Sequence, residues 1–158
     1  MNEHNNFLPL GEFIELKDTI MSDHFPWYFN DNVVDYEEKY FQFTFHFIKN
    51  GDVNCSEKMM NIVQPILSKI KYKKIHRIKA NLLTQDINIT EHGMHVDPFE
   101  GNIGIFYINT CNGYTKFENG KKIKSEENKY IEFDSRMHHT GSTCTDEKRR
   151  VVINFNYQ

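Results

Sequence analysis

The residues of this chain best suited to chemistry are two histidines and an aspartate whose spacing predicts a metal site. In His95-Val96-Asp97 an extended backbone alternates its side chains, so His95 and Asp97 point to one face and Val96 to the other. A third ligand can come from the pair His138-His139, which follows a strand-like run further along the chain. Two imidazole nitrogens and one carboxylate oxygen then hold one side of a metal ion and leave its other positions open.

Two candidate site residues each have an adjacent residue of the same type, so the choice within each pair stays open. Only one member of a pair can face the site, because neighbouring side chains of an extended segment point in opposite directions. Either His138 or His139 can face the metal, but not both. Arg149 and Arg150 open the last strand-like run in the same way. Arg149 shares its face of the strand with mostly apolar residues, namely Val151, Ile153, Phe155 and Tyr157. Arg150 shares its face with a more polar set, namely Val152, Asn154 and Asn156. Alternation therefore favours Arg150 as a pocket residue, and a bulge before the strand would shift this to Arg149.

The order of these residues carries a family resemblance. His95-Val96-Asp97 is followed by an apolar strand that contains Tyr107-Ile108-Asn109, and then by the run 131–135, His139 and an arginine-led strand. A His-x-Asp tripeptide alone is weak evidence, but this sequence of features is more specific. Residues 75–158 resemble the iron(II)/2-oxoglutarate-dependent dioxygenases, specifically the small prolyl-4-hydroxylase-like group.

The resemblance implies a non-haem iron(II) ion bound by His95, Asp97 and His139. His139 is favoured over His138 because the distal ligand of related hydroxylases lies four residues after a serine or similar small residue, here Ser135. It further implies 2-oxoglutarate as co-substrate, with its far carboxylate bound by Arg150 and Tyr107. Arginine suits this role because its planar fork gives a carboxylate two hydrogen bonds. Dioxygen as the second co-substrate and ascorbate as a reductant for the iron are also implied.

Bulk composition indicates one ordinary globular domain. The chain has 158 residues, of which 39% are hydrophobic, and we predict a single domain over 1–158. A net charge of −3 argues against a broad grip on nucleic acid. Three cysteines without a CxxC pair are typical of a reducing compartment, and no signal peptide or membrane-spanning run is apparent. We therefore expect a cytoplasmic protein without membrane contact, of undetermined oligomeric state.

Residue periodicity predicts helices first and short strands afterwards. Apolar spacing over 13–21 predicts an amphipathic helix, and a second should follow the N-cap Ser56 until Pro65 kinks or splits it. Alternation predicts a strand over 41–47, and Asn119-Gly120 predicts a hairpin turn. Further strands are predicted over 75–83, 103–109, 114–118, 121–124, 129–134 and 149–157.

These elements favour a mainly β (α+β) fold of two packed sheets, with the helices on one outer face. The resemblance sharpens this to a double-stranded β-helix, or jelly-roll, whose core spans about 75–158 on a helical and aromatic support of about 1–74.

Some residues near the expected pocket have more than one interpretation. We interpret the basic stretch from Lys69 to Lys79 as a solvated helix end and loop, His92 as a surface histidine and Cys144 as a packed thiol. Asn81 faces either the pocket or the core. Many relatives carry a Tyr-Pro segment shortly before His-x-Asp that is missing here, so the resemblance does not identify the substrate-facing wall.

The function implied is hydroxylation of an unidentified substrate, coupled to decarboxylation of 2-oxoglutarate to succinate and CO2. Peptides, amino acids and small metabolites are favoured over nucleic acid as the substrate, because the net charge is modest. In addition, the nucleic-acid demethylases of the same superfamily have a second arginine six residues after the first, and this chain has Asn156 there. The alternative is a cupin-like metal-binding or sensing domain without turnover.

Overall fold

The described part of the chain forms two antiparallel sheets with two helices on one outer face. The computed structural model describes residues 1–34 and 39–158. The helices are α1 (Leu10–Met21) and α2 (Glu57–Leu67). The strands are β1 (Asn2–His4), β2 (Tyr28–Asn30), β3 (Gln42–Lys49), β4 (Asp52–Val53), β5 (Ile75–Thr84), β6 (Asn102–Tyr107), β7 (Tyr114–Phe117), β8 (Lys122–Lys124), β9 (Lys129–Asp134), β10 (His139–Gly141) and β11 (Arg149–Tyr157). Neither helix is long and apolar enough to cross a membrane.

The larger sheet has eight strands, in the order β1-β9-β6-β11-β5-β3-β2, with β4 paired to β3. The smaller sheet has the order β10-β7-β8. Strand β11 lies between β5 and β6 in the larger sheet, so it is paired on both edges. This arrangement of two facing sheets with helices outside confirms the predicted jelly-roll.

Alternation along the central strands separates two apolar cores. On β11 the side chains of Val151, Ile153 and Phe155 pack on the helix side, together with Phe13 and Ile66 of the two helices. Between the sheets lies a second cluster: Ile103, Ile105, Tyr107, Phe117, Ile123, Ile131, Phe133 and Val152. The period of two therefore sends one face of the larger sheet to the helices and the other to the smaller sheet.

Helix α2 begins as its sequence predicts and runs past its proline. Ser56 is the N-cap, and its side chain accepts a hydrogen bond of 3.4 Å from the backbone N–H of Met59. Pro65 does not split the helix, which continues through it and ends at Leu67. Because Pro65 lies in the last turn, few helical hydrogen bonds remain beyond it to be disturbed.

One strand end and one hairpin turn differ from the sequence prediction for local reasons. Strand β6 ends at Tyr107 instead of Asn109, because the Asn109 side chain replaces the backbone ladder: its Nδ2 donates to the Arg149 carbonyl and its Oδ1 accepts from the Val151 N–H, both at 2.9 Å. The β7–β8 hairpin is confirmed, but of the two predicted turn residues, Asn119 and Gly120, only Gly120 has a positive φ, of 84°. Its N–H donates to the Phe117 carbonyl at 2.9 Å, so the turn is longer than a two-residue Asn-Gly turn.

Candidate metal and co-substrate site

A cavity of about 490 Å³ lies between the two sheets. The inward faces of β5 and β11 form one wall, and β10, Thr115 of β7 and the segment 92–98 form the other. The cavity brings together four of the five residues predicted for the site. They are His95, Asp97, His139 and Arg150.

The two histidines are held side by side by their own backbones. Residues 91–97 are not a regular strand, contrary to the extended strand assumed from the sequence. They pair with β10 only through an isolated bridge at His95–His139, and with the residue after β10 through a bridge at Glu91–Ser142. The bridge joins the backbones of His95 and His139 by two hydrogen bonds, of 3.0 and 2.9 Å. Residues directly opposite in an antiparallel pair project to the same face. The imidazole centroids accordingly lie 4.6 Å apart.

Both imidazoles are fixed in the tautomer that a metal ligand needs. The Nδ1 of His95 lies 3.0 Å from the Gly93 carbonyl, and the Nδ1 of His139 lies 3.0 Å from the Met137 carbonyl. A carbonyl oxygen can only accept, so each Nδ1 carries a proton, and in the neutral ring each Nε2 then keeps a free lone pair. Burial lowers the pKa of His139, which favours its neutral form. The donor set therefore fits a divalent metal ion such as iron(II).

Asp97 completes the donor set with one oxygen while the other is held by an arginine. Its Oδ2 lies 3.9 Å from the His139 Nε2, and its Oδ1 accepts a hydrogen bond of 2.8 Å from Arg77. Arg77 also reaches Asn156 at 3.4 Å, so its guanidinium is anchored on the sheet. This contact orients the carboxylate with Oδ2 toward the histidines.

The neighbouring histidine points away from this cluster. The His138 side chain is half exposed, and its Nδ1 lies 3.6 Å from a Glu118 carboxylate oxygen. His139, in contrast, is only 5% exposed. Of the two adjacent histidines, the cavity therefore contains His139.

Arg150 is a buried cation that lines the same cavity. It is 3% exposed, and its Nη2 donates to the Thr115 hydroxyl at 3.3 Å. Its Nε has no hydrogen-bond partner among the described residues. The guanidinium lies 5.7 Å from the Tyr107 ring centroid, and a Cβ at position 113 would approach the Arg150 Cδ to 2.7 Å, so Gly113 leaves room for this side chain. An arginine with an unused donor suits a carboxylate ligand.

Arg149 lies on the opposite face, as alternation predicts. Its Nη2 donates to the carbonyl of Met21, the last residue of α1, at 2.6 Å. The side chain thus ties β11 to the helix layer and does not line the cavity.

Tyr107 lies behind the cavity wall and does not form part of it. The side chain is fully buried, and its hydroxyl donates to the Thr115 Oγ1 at 2.8 Å. Burial raises the pKa of Tyr107 to about 12, so the phenol stays protonated. Thr115, which the sequence did not single out, is therefore the polar group that links Tyr107 to Arg150.

Three of the sequence interpretations around the pocket are resolved by position. Asn81 lines the cavity, and His92 lines it too and is 7% exposed, so the surface interpretation of His92 is wrong. The interpretation of 69–79 as solvated holds for Lys69 but is wrong for Arg77 and Lys79, which project from β5 into the cavity. Their alternation with Ile78 and Ala80 was the signal that could have placed them on an inward face.

A second polar cluster lies outside the cavity. Ligand atoms of Cys111, Cys144 and Asp146 lie within 4.8 Å of one another, and both cysteines are buried. The Cys144 thiol donates to the Glu147 carbonyl at 3.2 Å, and burial raises its pKa to about 12. These are properties of a packed, unreactive thiol, as the sequence indicated.

No family model and no curated protein matches this sequence. Solved structures do match. An oxidoreductase of the 2OG-Fe(II) oxygenase family from Burkholderia pseudomallei superposes with a TM-score of 0.67 at 13% identity, covering 94% of this chain and 78% of the other.

Two prolyl hydroxylases are similar to the same extent. One, from Trichoplax adhaerens, was solved with a hypoxia-inducible-factor peptide and has a TM-score of 0.66 at 14% identity, covering 99% of this chain and 82% of the other. The prolyl-4-hydroxylase of Pseudomonas putida has a TM-score of 0.63 at 10% identity, covering 99% and 92%. At such identities the likeness concerns the fold, and the chain therefore has the jelly-roll fold of the 2OG-Fe(II) oxygenases and prolyl hydroxylases.

Proposed function

We propose that this protein is an iron(II)- and 2-oxoglutarate-dependent oxygenase that hydroxylates its substrate. The observation that carries the proposal is one cavity holding both halves of the required chemistry. Two imidazoles with free Nε2 lone pairs and one carboxylate oxygen converge at one place, and a buried arginine with an unused donor lies at another.

In this proposal His95, Asp97 and His139 bind the metal. The carbonyls of Gly93 and Met137 hold the two rings in the ligating tautomer, and second partners of this kind orient metal-bound histidines in general. Arg77 plays the corresponding role for Asp97 by holding its Oδ1. Bound iron(II) would supply dioxygen activation, with oxidative decarboxylation of 2-oxoglutarate to succinate and CO2.

Arg150 and Thr115 bind the far carboxylate of 2-oxoglutarate. The Thr115 Oγ1 already accepts from Tyr107 and from Arg150, so its own hydroxyl proton is free to donate into the cavity. Tyr107 would then act through Thr115 as a positioning residue, instead of touching the carboxylate directly. Because Arg150 and Thr115 are buried, their contacts with a carboxylate would be little screened by water. Ascorbate is proposed as the reductant that keeps the iron in its active state.

The metal set predicts different results for two adjacent histidines. With iron(II) and 2-oxoglutarate under nitrogen, the wild-type protein should show a visible charge-transfer band. His139→Ala should abolish the band because a ligand is lost, and His95→Ala should do the same. His138→Ala is the matched control and should keep it, since His138 lies outside the cavity beside Glu118.

An unchanged band in His139→Ala or His95→Ala would remove that residue from the proposed metal site. Succinate formation from 2-oxoglutarate in air, measured without a primary substrate, tests turnover separately. Iron binding with neither the band nor succinate would instead favour the alternative, a metal-binding domain without turnover.

A further inference from the structure

The cavity wall beyond the metal ligands carries two cations, Arg77 and Lys79, in addition to Arg150. Arg77, Lys79 and Asn81 project inward from β5, while the intervening Ile78 and Ala80 are buried on the helix side. Asn154 of β11 lines the same wall. This wall lies outside the proposed contacts of the metal and of 2-oxoglutarate, except where Arg77 holds Asp97.

Lys79 has no counter-charge at hydrogen-bonding distance within the described residues. Arg77 is two positions away on the same face, and His46 lies opposite Lys79 on β3. Burial, followed by the charge of Arg77 and opposed by the charge of Asp97, lowers the pKa of Lys79 to about 8. Lys79 is partly buried, and an ammonium removed from water without a partner is costly, so a negatively charged ligand would stabilise it.

Several other polar atoms of this wall also lack partners. Among the described residues, no hydrogen bond is made by the Arg77 Nε, the Asn81 Oδ1 or the Asn154 Oδ1, although all three are buried. Buried polar groups are normally hydrogen-bonded, and groups that are not often await a ligand. These atoms offer one further donor beside Lys79 and two acceptors across the wall.

The charges of the filled site leave an excess on this wall. A divalent metal ion and doubly ionised 2-oxoglutarate would balance each other, and Asp97 is paired with Arg77. Asp97 is the only acidic residue among the described residues that line the cavity. Among the described lining residues, Arg150 and Lys79 therefore leave an excess of positive charge after the proposed cofactor and co-substrate are bound, and Arg150 would already contact 2-oxoglutarate.

We propose that Lys79 and Arg77 form an anion-binding subsite, and that the primary substrate is a small molecule bearing a carboxylate or phosphate group. Asn81 and Asn154 would contact its polar groups beside that anion. The inference rests on the proposed oxygenase function for its chemistry, but the anion subsite itself can be tested without turnover. It distinguishes this protein from an enzyme whose substrate is an uncharged prolyl peptide.

The test uses simple anions on protein saturated with zinc(II) and 2-oxoglutarate, so that the metal site and Arg150 are occupied. Acetate and methyl phosphate are the charged probes, and acetamide and methanol are their neutral counterparts. Backbone amide NMR signals of Lys79, Asn81 and Asn154 should shift saturably with millimolar acetate or methyl phosphate, and not with the neutral probes. Whichever anion binds more tightly identifies the group as carboxylate or phosphate.

Variants locate the binding to the side chain in question. Lys79→Met should weaken anion binding by about tenfold or more, equivalent to about 1.4 kcal/mol. Lys79→Arg should retain binding because it keeps the charge, and Lys124→Met, at an exposed position on β8, should bind like the wild type. Circular dichroism establishes that each variant is folded.

Three outcomes would overturn the proposal. The first is the absence of saturable shifts with either anion, and the second is equal anion affinity in the wild type and Lys79→Met. The third is oxidation of an uncharged prolyl peptide with equal efficiency by the wild type and Lys79→Met. A parallel 2-oxoglutarate titration separates the two proposals. If the protein binds the anions but not 2-oxoglutarate, the proposed oxygenase function is refuted and the proposed anion subsite stands. If it binds 2-oxoglutarate but not the anions, only the proposed anion subsite is refuted.

Discussion

Arg149 and Arg150 are adjacent in sequence but serve different parts of the molecule. Arg150 lines the cavity and is buried beside Thr115, whereas Arg149 donates to the carbonyl at the end of α1. Chemically identical side chains at neighbouring positions therefore offer an internal control for the co-substrate site.

We expect Arg150→Ala to weaken 2-oxoglutarate binding strongly and Arg149→Ala to leave it nearly unchanged. Truncating one partner of a buried charged contact costs about 2–5 kcal/mol, which corresponds to roughly 30- to several-thousand-fold in affinity. Arg149→Ala should instead lower the stability by about 0.5–1.5 kcal/mol through its lost hydrogen bond to α1. Titration of 2-oxoglutarate into both metal-loaded variants, with urea unfolding alongside, measures both effects. A large affinity loss in Arg149→Ala alone would contradict the assignment.

At the scale of elements, the helices stabilise the larger sheet from the side away from the cavity. Helix α2 contributes Val63, Ile66 and Leu67 to the core on that side. Residues of α2 do not line the cavity. Changes to the helix should therefore alter stability without altering the site.

Ser56→Ala tests this separation. Loss of the N-cap hydrogen bond to Met59 should lower the free energy of unfolding by about 1 kcal/mol, while 2-oxoglutarate affinity stays unchanged. Ser56→Asp, which can still cap the helix and favours its positive end, should retain wild-type stability. Chemical denaturation of the three proteins makes the comparison, and an affinity change matching the stability loss would show that α2 and the site are coupled.

For the whole molecule, His46, a half-buried histidine beside the cationic wall, should make stability depend on pH. Burial, then the charges of Lys79, Lys49 and Arg77, lowers the pKa of His46 to about 4. In the unfolded chain a histidine titrates near 6.5. Between these values the unfolded state binds more protons, so stability falls as the pH drops from about 6.5 to about 4.

The contribution of His46 over that interval should be about 1–3 kcal/mol, because each pKa unit is worth about 1.4 kcal/mol and the partial exposure of His46 to water reduces the full value. His46→Gln should flatten the stability profile between pH 4 and 6.5 and leave the profile above pH 7 unchanged. Denaturation curves of both proteins across this range isolate the histidine from carboxylates that titrate nearby. Parallel profiles would show that His46 is not the group responsible.

Much of the fold could be predicted from the sequence because periodicity is a local property. The alternation in β11 correctly assigned Val151, Ile153 and Phe155 to the helix side and Arg150 to the cavity side. Ser56 marked the start of α2, and Asn119-Gly120 marked the β7–β8 hairpin. The resemblance added the jelly-roll. The four residues His95, Asp97, His139 and Arg150 line one cavity, and their roles there stay predictions.

The rest depended on which faces meet, and that is decided by tertiary structure. The sequence left His138 and His139 open; the backbone bridge to His95 brings His139 into the cavity. A basic stretch that looked solvated contributes Arg77 and Lys79 to the interior, because β5 lies beside β11 in the larger sheet and faces the smaller one. Thr115 became significant only when β7 placed it between Tyr107 and Arg150. Spacing along one strand determines which side chains share a face, whereas strand order and register across the sheets determine what that face contacts.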